Sequence, residues 1–132
     1  MSSQEQTPLL DPFFIAWAAG LLEGEGCFVF HRRHNKNRNC CVAIHCEMTD
    51  EDTVIKLQTG FNLGTVLLRP NKIGRVDRRQ RKPTYIWSVQ NKAGVKHVCD
   101  AVLPYMGIRR SAKIKQLLEF INEGIIPESY IT

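Results

Sequence analysis

No apolar run in this sequence approaches the ~20 residues that span a bilayer, which argues against a transmembrane segment and a membrane partner. The opening residues, MSSQEQTPLLDP, place no basic stretch ahead of an apolar one, so no secretory leader is expected there. The five cysteines, Cys27, Cys40, Cys41, Cys46 and Cys99, are odd in number and form no CxxC pair. That argues against a disulfide framework and fits reduced thiols, mostly packed as small apolar groups. None of the usual zinc-ligand spacings links His31, His34, Cys40, Cys41, His45 and Cys46, so a small zinc-dependent interaction domain stands only as an alternative. No low-complexity linker divides the 132 residues, and the length suits a single domain. Its core is expected over about residues 12–123, with 1–10 and 125–132 as loosely ordered tails. These absences together favour a reducing setting inside a cell or an organelle.

Acidic residues are also scarce in two particular places. Residues 31–38, HRRHNKNR, contain none, and residues 69–82, RPNKIGRVDRRQRK, contain only Asp77. These segments carry +4 and +6, whereas the whole chain carries +5, so everything else balances to −5. Positive charge confined to two segments points to a surface that binds a polyanion rather than to general solubility.

What is present reads as an alternation of helices and hairpins. Asp11-Pro12 opens a helix over 12–24, since Asp can cap and Pro is tolerated at the first helical position. Strands follow at 27–33 and 40–48. Thr49-Asp50-Glu51-Asp52 has the form of a capping box for a second helix, with Val54, Ile55 and Leu57 as inward candidates, and GFNLG ends that helix. Strands at 64–69 and 83–90 come next, then a helix capped by Asn91 that runs to about Met106, and a last helix over 109–123. The order α-β-β-α-β-β-α-α predicts an α+β fold in which one four-stranded antiparallel sheet carries helices on one face and leaves the other open.

Period-two alternation separates the faces. Phe28 and Phe30, then Val42, Ile44, Cys46 and Met48, then Tyr85, Trp87 and Val89 form a greasy, aromatic side. Opposite them stand Val29, His31 and Arg33, then Cys41, Ala43, His45 and Glu47, then Thr84, Ile86, Ser88 and Gln90. An open antiparallel ribbon flanked by basic hairpin loops can lie in a DNA major groove and read base edges. His31, Arg33, Asn35, Arg38, His45, Arg69, Thr84, Ile86 and Ser88 are the candidates for facing the groove. Arg32, Lys36, Arg75, Arg78, Arg79, Arg81 and Lys82 are candidates for phosphate contact.

The stretch AAGLLEGEGCF, residues 18–28, gives a second signal. Ala16, Gly20 and Gly24 recur every four residues and place a smooth strip along the first helix, with Leu21 at its margin. A helical Gly costs ~1 kcal/mol relative to Ala, a cost that close helix–helix contact would offset. A tight pack against the chain's own sheet is the plainer reading of the same strip. Glu23 and Glu25 lie ~200° apart around the helix and cannot grip one ion together. They also sit at a helix C-terminus, where the dipole disfavours negative charge. A carboxylate held there beside a basic surface calls for a cation, and Mg²⁺ takes carboxylate, carbonyl and phosphate oxygens.

AAGLLEGEG, residues 18–26, resembles the motif of the LAGLIDADG homing endonucleases, with Trp17 before it and Cys27-Phe28 continuing it as the family's strand does. LPYMGIRRSAKIKQLL, residues 103–118, is similar to the family's second half, where a basic residue follows a Pro-aromatic pair. The resemblance implies a site-specific endonuclease of saddle-shaped αββαββα fold, with the first helix at a two-fold interface and the sheet in the DNA major groove. A single copy of the motif implies a homodimer, its interface formed by Ala16, Gly20, Leu21 and Gly24, cutting both strands of a long, roughly palindromic duplex. The last acid of the motif falls on Glu25, which would hold Mg²⁺ together with the Gly24 carbonyl; Mn²⁺ or Ca²⁺ could occupy the same place. Glu25 stands where many members have Asp. Glu23 falls on the earlier acid and reads as structural. Glu47 falls where the family organises solvent, although it also suits the dipole of the second helix. Arg109 falls nearest the family's basic group, with Arg110 or Lys113 as substitutes. His31 and His45 then serve as base contacts and His97 as packing, with no histidine in catalysis. The alternative within the same resemblance is a non-catalytic relative, an intron RNA maturase or DNA-binding regulator, and intron RNA is a conceivable further partner.

Overall fold

Asp11 starts the first helix as its chemistry dictates: its carboxylate accepts a hydrogen bond from the Phe13 N–H at 3.0 Å, and Pro12 fills the first helical position. The computed structural model describes residues 10–32, 40–70 and 82–126. Its elements are α1 (Pro12–Glu25), β1 (Gly26–Arg32), β2 (Cys40–Met48), α2 (Glu51–Phe61), β3 (Thr65–Arg69), β4 (Thr84–Val89), α3 (Lys92–Val102) and α4 (Ile108–Glu123), with a short 3₁₀ turn at Leu103–Tyr105. Among the described residues, no helix is long and apolar enough to cross a membrane.

The four strands form one antiparallel sheet in the order β1-β2-β4-β3. Phe28 pairs with Ile44 and Phe30 with Val42, which puts like side chains on one face. That face is the core side: Phe28, Phe30, Val42, Ile44, Cys46, Trp87 and Val89 are all buried, together with Ile15, Ala18, Ala19 and Leu22 of α1. Trp87 sits at the centre. Its indole N–H donates to the Leu63 carbonyl at 3.1 Å, and Phe61 stacks on its ring at 5.8 Å. From α4, Ile114 and Leu117 complete the cluster, and Phe120 meets Phe30 edge to face at 5.0 Å. The alternation read from the sequence therefore divides the sheet as expected, with a packed side and an open one.

Three expectations need correction. The helix α2 is capped at Asp50 with no side-chain hydrogen bond, so Thr49 and Asp52 do not form a capping box, and Ile55 is exposed while Val54 and Leu57 are buried. The helix α3 ends at Val102 rather than near Met106. Pro104 has no N–H to continue the helical ladder and its ring crowds the preceding turn, so the chain tightens into the 3₁₀ turn. The thiols are also less uniformly buried than expected: Cys46 and Cys99 are in the core, Cys41 is half-buried and Cys27 is exposed. Most other element ends move by one residue. The shift that affects the site is at α1, which runs through Glu25 before Gly26 turns into β1. That corner is tight, since a Cβ on Gly26 would lie 2.6 Å from the Leu22 carbonyl oxygen.

Candidate active site and nucleic-acid interface

The two acids of α1 have separate fates. Glu23 turns inward, where one carboxylate oxygen accepts the Gly107 N–H at 3.1 Å. Arg110 donates through Nε to the Glu23 backbone carbonyl at 3.3 Å and stands 3.9 Å from the second carboxylate oxygen, which is itself buried. The side chain thus ties the start of α4 to the end of α1, with its Oε2 left without a hydrogen-bond partner. Glu25, the last residue of α1, is exposed, as is Gly24. Its charge nevertheless reaches the core: the Cys46 thiol is pushed up to about 11, mainly by burial and then by the Glu25 carboxylate. The β1–β2 ladder pairs Gly26 with Cys46, so Glu25 lies one step beyond it, level with Glu47 at the end of β2.

Glu47 is held from two strands. Thr84 of β4 donates its hydroxyl to one carboxylate oxygen at 2.5 Å, and Arg69 of β3 donates to the other at 3.1 Å. These contacts place Glu47 on the open face of the sheet. The acids that begin α2 and complement its dipole are Glu51 and Asp52. Arg69 and Thr84, expected to face bases, are spent at least partly on Glu47.

Further along the open face, His45 and Ser88 are direct partners across β2 and β4, with Nδ1 of the imidazole 3.0 Å from the Ser88 hydroxyl. Burial, followed by the charges of His31 and Arg69, holds His45 below its usual range. Cys27 lies beside His45 on β1 and Thr65 beside Ser88 on β3, both exposed. His31 and Lys82 are exposed, and Ile86 is half-buried between Glu47 and the exposed Leu67. Ser88 differs from expectation: although it is on the open side, it is only 7% exposed. Of the remaining binding candidates, Arg33, Asn35, Lys36, Arg38, Arg75, Arg78, Arg79 and Arg81 lie outside the described residues, as does the side chain of Arg32.

The outer strip of α1 is bare. Ala16, Gly20 and Gly24 are exposed, Leu21 is half-buried, and a Cβ added at Gly20 or Gly24 would meet nothing within 4 Å. The glycines therefore do not serve contact with the chain's own sheet, which uses Ile15, Ala18, Ala19 and Leu22 on the opposite side of the helix. Phe13, one turn before Ala16, is 86% exposed and extends the strip with apolar surface. A helix this apolar all round, with one side uncovered, has the composition of a helix buried on both sides.

A family model described as LAGLIDADG endonuclease matches residues 18–123. The chain belongs to that family. Solved structures agree on the fold. The homing endonuclease I-CvuI, in complex with its target in the presence of calcium, superposes with a TM-score of 0.66 at 18% identity, covering 83% of this chain and 66% of that one. The archaeal intron-encoded homing endonuclease I-Vdi141I, complexed with DNA, gives 0.65 at 14%, covering 83% and 67%. The LAGLIDADG homing endonuclease I-GzeII, in complex with a DNA target, gives 0.63 at 15%, covering 86% of this chain but 36% of that one. The chain thus spans about two thirds of the length of the first two and about one third of the third. Comparison with curated protein sequences gives no match.

Within the LAGLIDADG frame, Glu23 is tied into the structure through Gly107, whereas Glu25 stands at the surface. Arg109 is exposed at the first turn of α4, one residue from Arg110 on its clamp. Lys113 is half-buried a turn further on. Of the Cys/His set considered for zinc, Cys46 faces the core, whereas His31, Cys41 and His45 are on the other side of the sheet; His34 and the side chain of Cys40 lie outside the described residues. Among the described residues, no group of three or more His, Cys, Asp or Glu side chains could hold a metal ion. At the end of α1, one chain offers the exposed Glu25 carboxylate beside helix-terminal carbonyls. These are hard oxygen donors of the kind Mg²⁺ and Ca²⁺ accept, but too few to close a shell alone. The fit is to a site completed by other oxygens. The indole–carbonyl bond of Trp87 and the Glu23–Gly107 contact were invisible to sequence reasoning, because each joins residues far apart in the chain; only the partner-seeking chemistry of a buried Trp N–H hinted at the first.

Proposed function

We propose that this chain is a site-specific DNA endonuclease, acting as a homodimer that cuts both strands of a long, roughly palindromic duplex by divalent-metal-dependent phosphodiester hydrolysis. The observation that carries the reading is the exposed Glu25 carboxylate, placed at the end of a helix with an uncovered small-residue strip and at the edge of an open sheet face. Two copies meeting along that strip would bring two such carboxylates together. The solved relatives complexed with DNA support duplex DNA, rather than intron RNA, as the partner. The free thiols Cys27, Cys41, Cys46 and Cys99 are consistent with a reducing intracellular location.

In this reading Glu25 and the Gly24 carbonyl hold Mg²⁺, with Mn²⁺ or Ca²⁺ as substitutes. When bound, such a cation neutralises phosphate charge and supplies an activated water at neutral pH. Glu47, oriented by Thr84 and Arg69, positions solvent beside the scissile phosphate. Arg109, exposed and not part of the Glu23 clamp, offers charge to the phosphate oxygens. The open face docks in the major groove, and the basic hairpin segments grip phosphates, which makes affinity fall with salt.

The test is to incubate purified protein with Mg²⁺ and a randomised duplex library and to recover cleaved sites. The wild type should yield one roughly palindromic family of sites, and Glu25→Gln should bind these sites without cutting. Cleavage by Glu25→Gln at the wild-type rate would overturn the role of Glu25. Tight binding without cleavage by the wild type would favour the non-catalytic alternative.

A further inference from the structure

We infer that Ser88 sets base preference without touching DNA: it holds the His45 imidazole by Nδ1, so that Nε2 is the atom offered to a base edge. The inference rests on the proposed DNA-reading role of the open face and assigns a mechanism to one position within it.

His45 and Ser88 face each other directly in the β2–β4 ladder, at 3.0 Å between Nδ1 and the hydroxyl oxygen. Ser88 is only 7% exposed and its hydroxyl is engaged by His45, while His45 is half-buried and so the more accessible of the pair. An imidazole torsion is broad and roughly two-fold, so an unrestrained ring can flip, which swaps each nitrogen with a ring carbon and turns Nε2 away from a given base edge. The hydrogen bond removes that freedom. Burial and the nearby His31 and Arg69 favour a neutral ring, in which one nitrogen donates and the other accepts. A hydroxyl at Nδ1 therefore fixes the direction of Nε2 and couples its role to that of Ser88. If Ser88 donates, Nε2–H seeks a base acceptor such as a purine N7. If Ser88 accepts, Nε2 seeks an exocyclic amino group. Among the described residues, the His45 side chain has no second hydrogen-bond partner.

The experiment selects bound duplexes with wild type, His45→Ala, Ser88→Ala, Ser88→Thr and the double alanine variant. In parallel, nitrogen-15 NMR of the His45 ring is recorded in the free proteins. Ser88→Ala should lose preference by about fivefold or more at the same base pair as His45→Ala, leaving the other positions intact. The double variant should be no worse than His45→Ala, and Ser88→Thr should restore the preference. The Nδ1 resonance should move in Ser88→Ala with no loss of thermal stability beyond that of Ser88→Thr. A Ser88→Ala profile that matches wild type, changes at a different base pair, or weakens at every position would overturn the inference while leaving DNA binding in place. Failure of the wild type to bind any duplex would overturn the proposed function and this inference with it, and is read separately from the binding data.

Discussion

Replacing Gly20 with alanine sets two effects of opposite sign against each other. Within one chain the new methyl group meets nothing within 4 Å, so only the backbone responds. Alanine is favoured over glycine inside a helix by ~1 kcal/mol, which for a chain of this size raises the melting temperature by roughly 3–5 °C. In a homodimer sealed along the α1 strip, the same methyl is inserted twice, once from each copy, because a two-fold interface is self-complementary. Overpacking a close contact costs ~1–3 kcal/mol, enough to weaken association by about tenfold or more. The assay pairs sedimentation equilibrium over a concentration series with thermal melts at a dilution where the chain is monomeric, since the stability of a dimer depends on its concentration. The expected result is a more stable monomer and a weaker dimer, with DNA cleavage falling alongside association. Wild-type association of Gly20→Ala with a stabilised monomer would refute the seam. A destabilised monomer would refute the open strip itself.

Two further outcomes follow from the core. Trp87→Phe removes the indole donor from the Leu63 carbonyl and should cost ~1–3 kcal/mol in denaturant unfolding, more than simple loss of ring area would suggest; unchanged stability would mean that the bond contributes nothing. The Cys46 and Cys99 thiols are raised to about 11 and about 12, in both cases chiefly by burial. Folding therefore favours their protonated forms, so their contribution to stability is full below the ordinary thiol value near 9 and declines as pH rises through the folded values. In native protein at mild alkaline pH, an alkylating reagent should modify exposed Cys27 first and leave these two intact; equal reaction rates would contradict their burial.

Much of the fold was legible because alternation is a local signal. Phe28 and Phe30, or Trp87 and Val89, declare their face by their spacing, and Asp11-Pro12 and Asn91 act as caps on neighbours in the sequence. The motif was legible for the same reason: Ala16, Gly20 and Gly24 mark one side of a helix by position alone. Strand order was not legible, because nothing local says that β4 lies between β2 and β3. That order brings Thr84 and Arg69 to Glu47, giving two expected base contacts a bond to an acid as well. The inward turn of Glu23 depended likewise on Gly107, 84 residues away in the chain. Pro104 is visible in the sequence, and its missing N–H is what ends α3 short of Met106.

The bare side of α1 has a consequence for how such a protein can change over time. Side chains repack when sequence drifts, whereas a join made main chain to main chain holds its spacing. If two copies join along that side, as proposed, the helix that Glu25 terminates would set the separation of the two carboxylates by peptide geometry, apart from the β-surface proposed to choose the target. New recognition could then be tried residue by residue on the sheet while that separation stayed as it was.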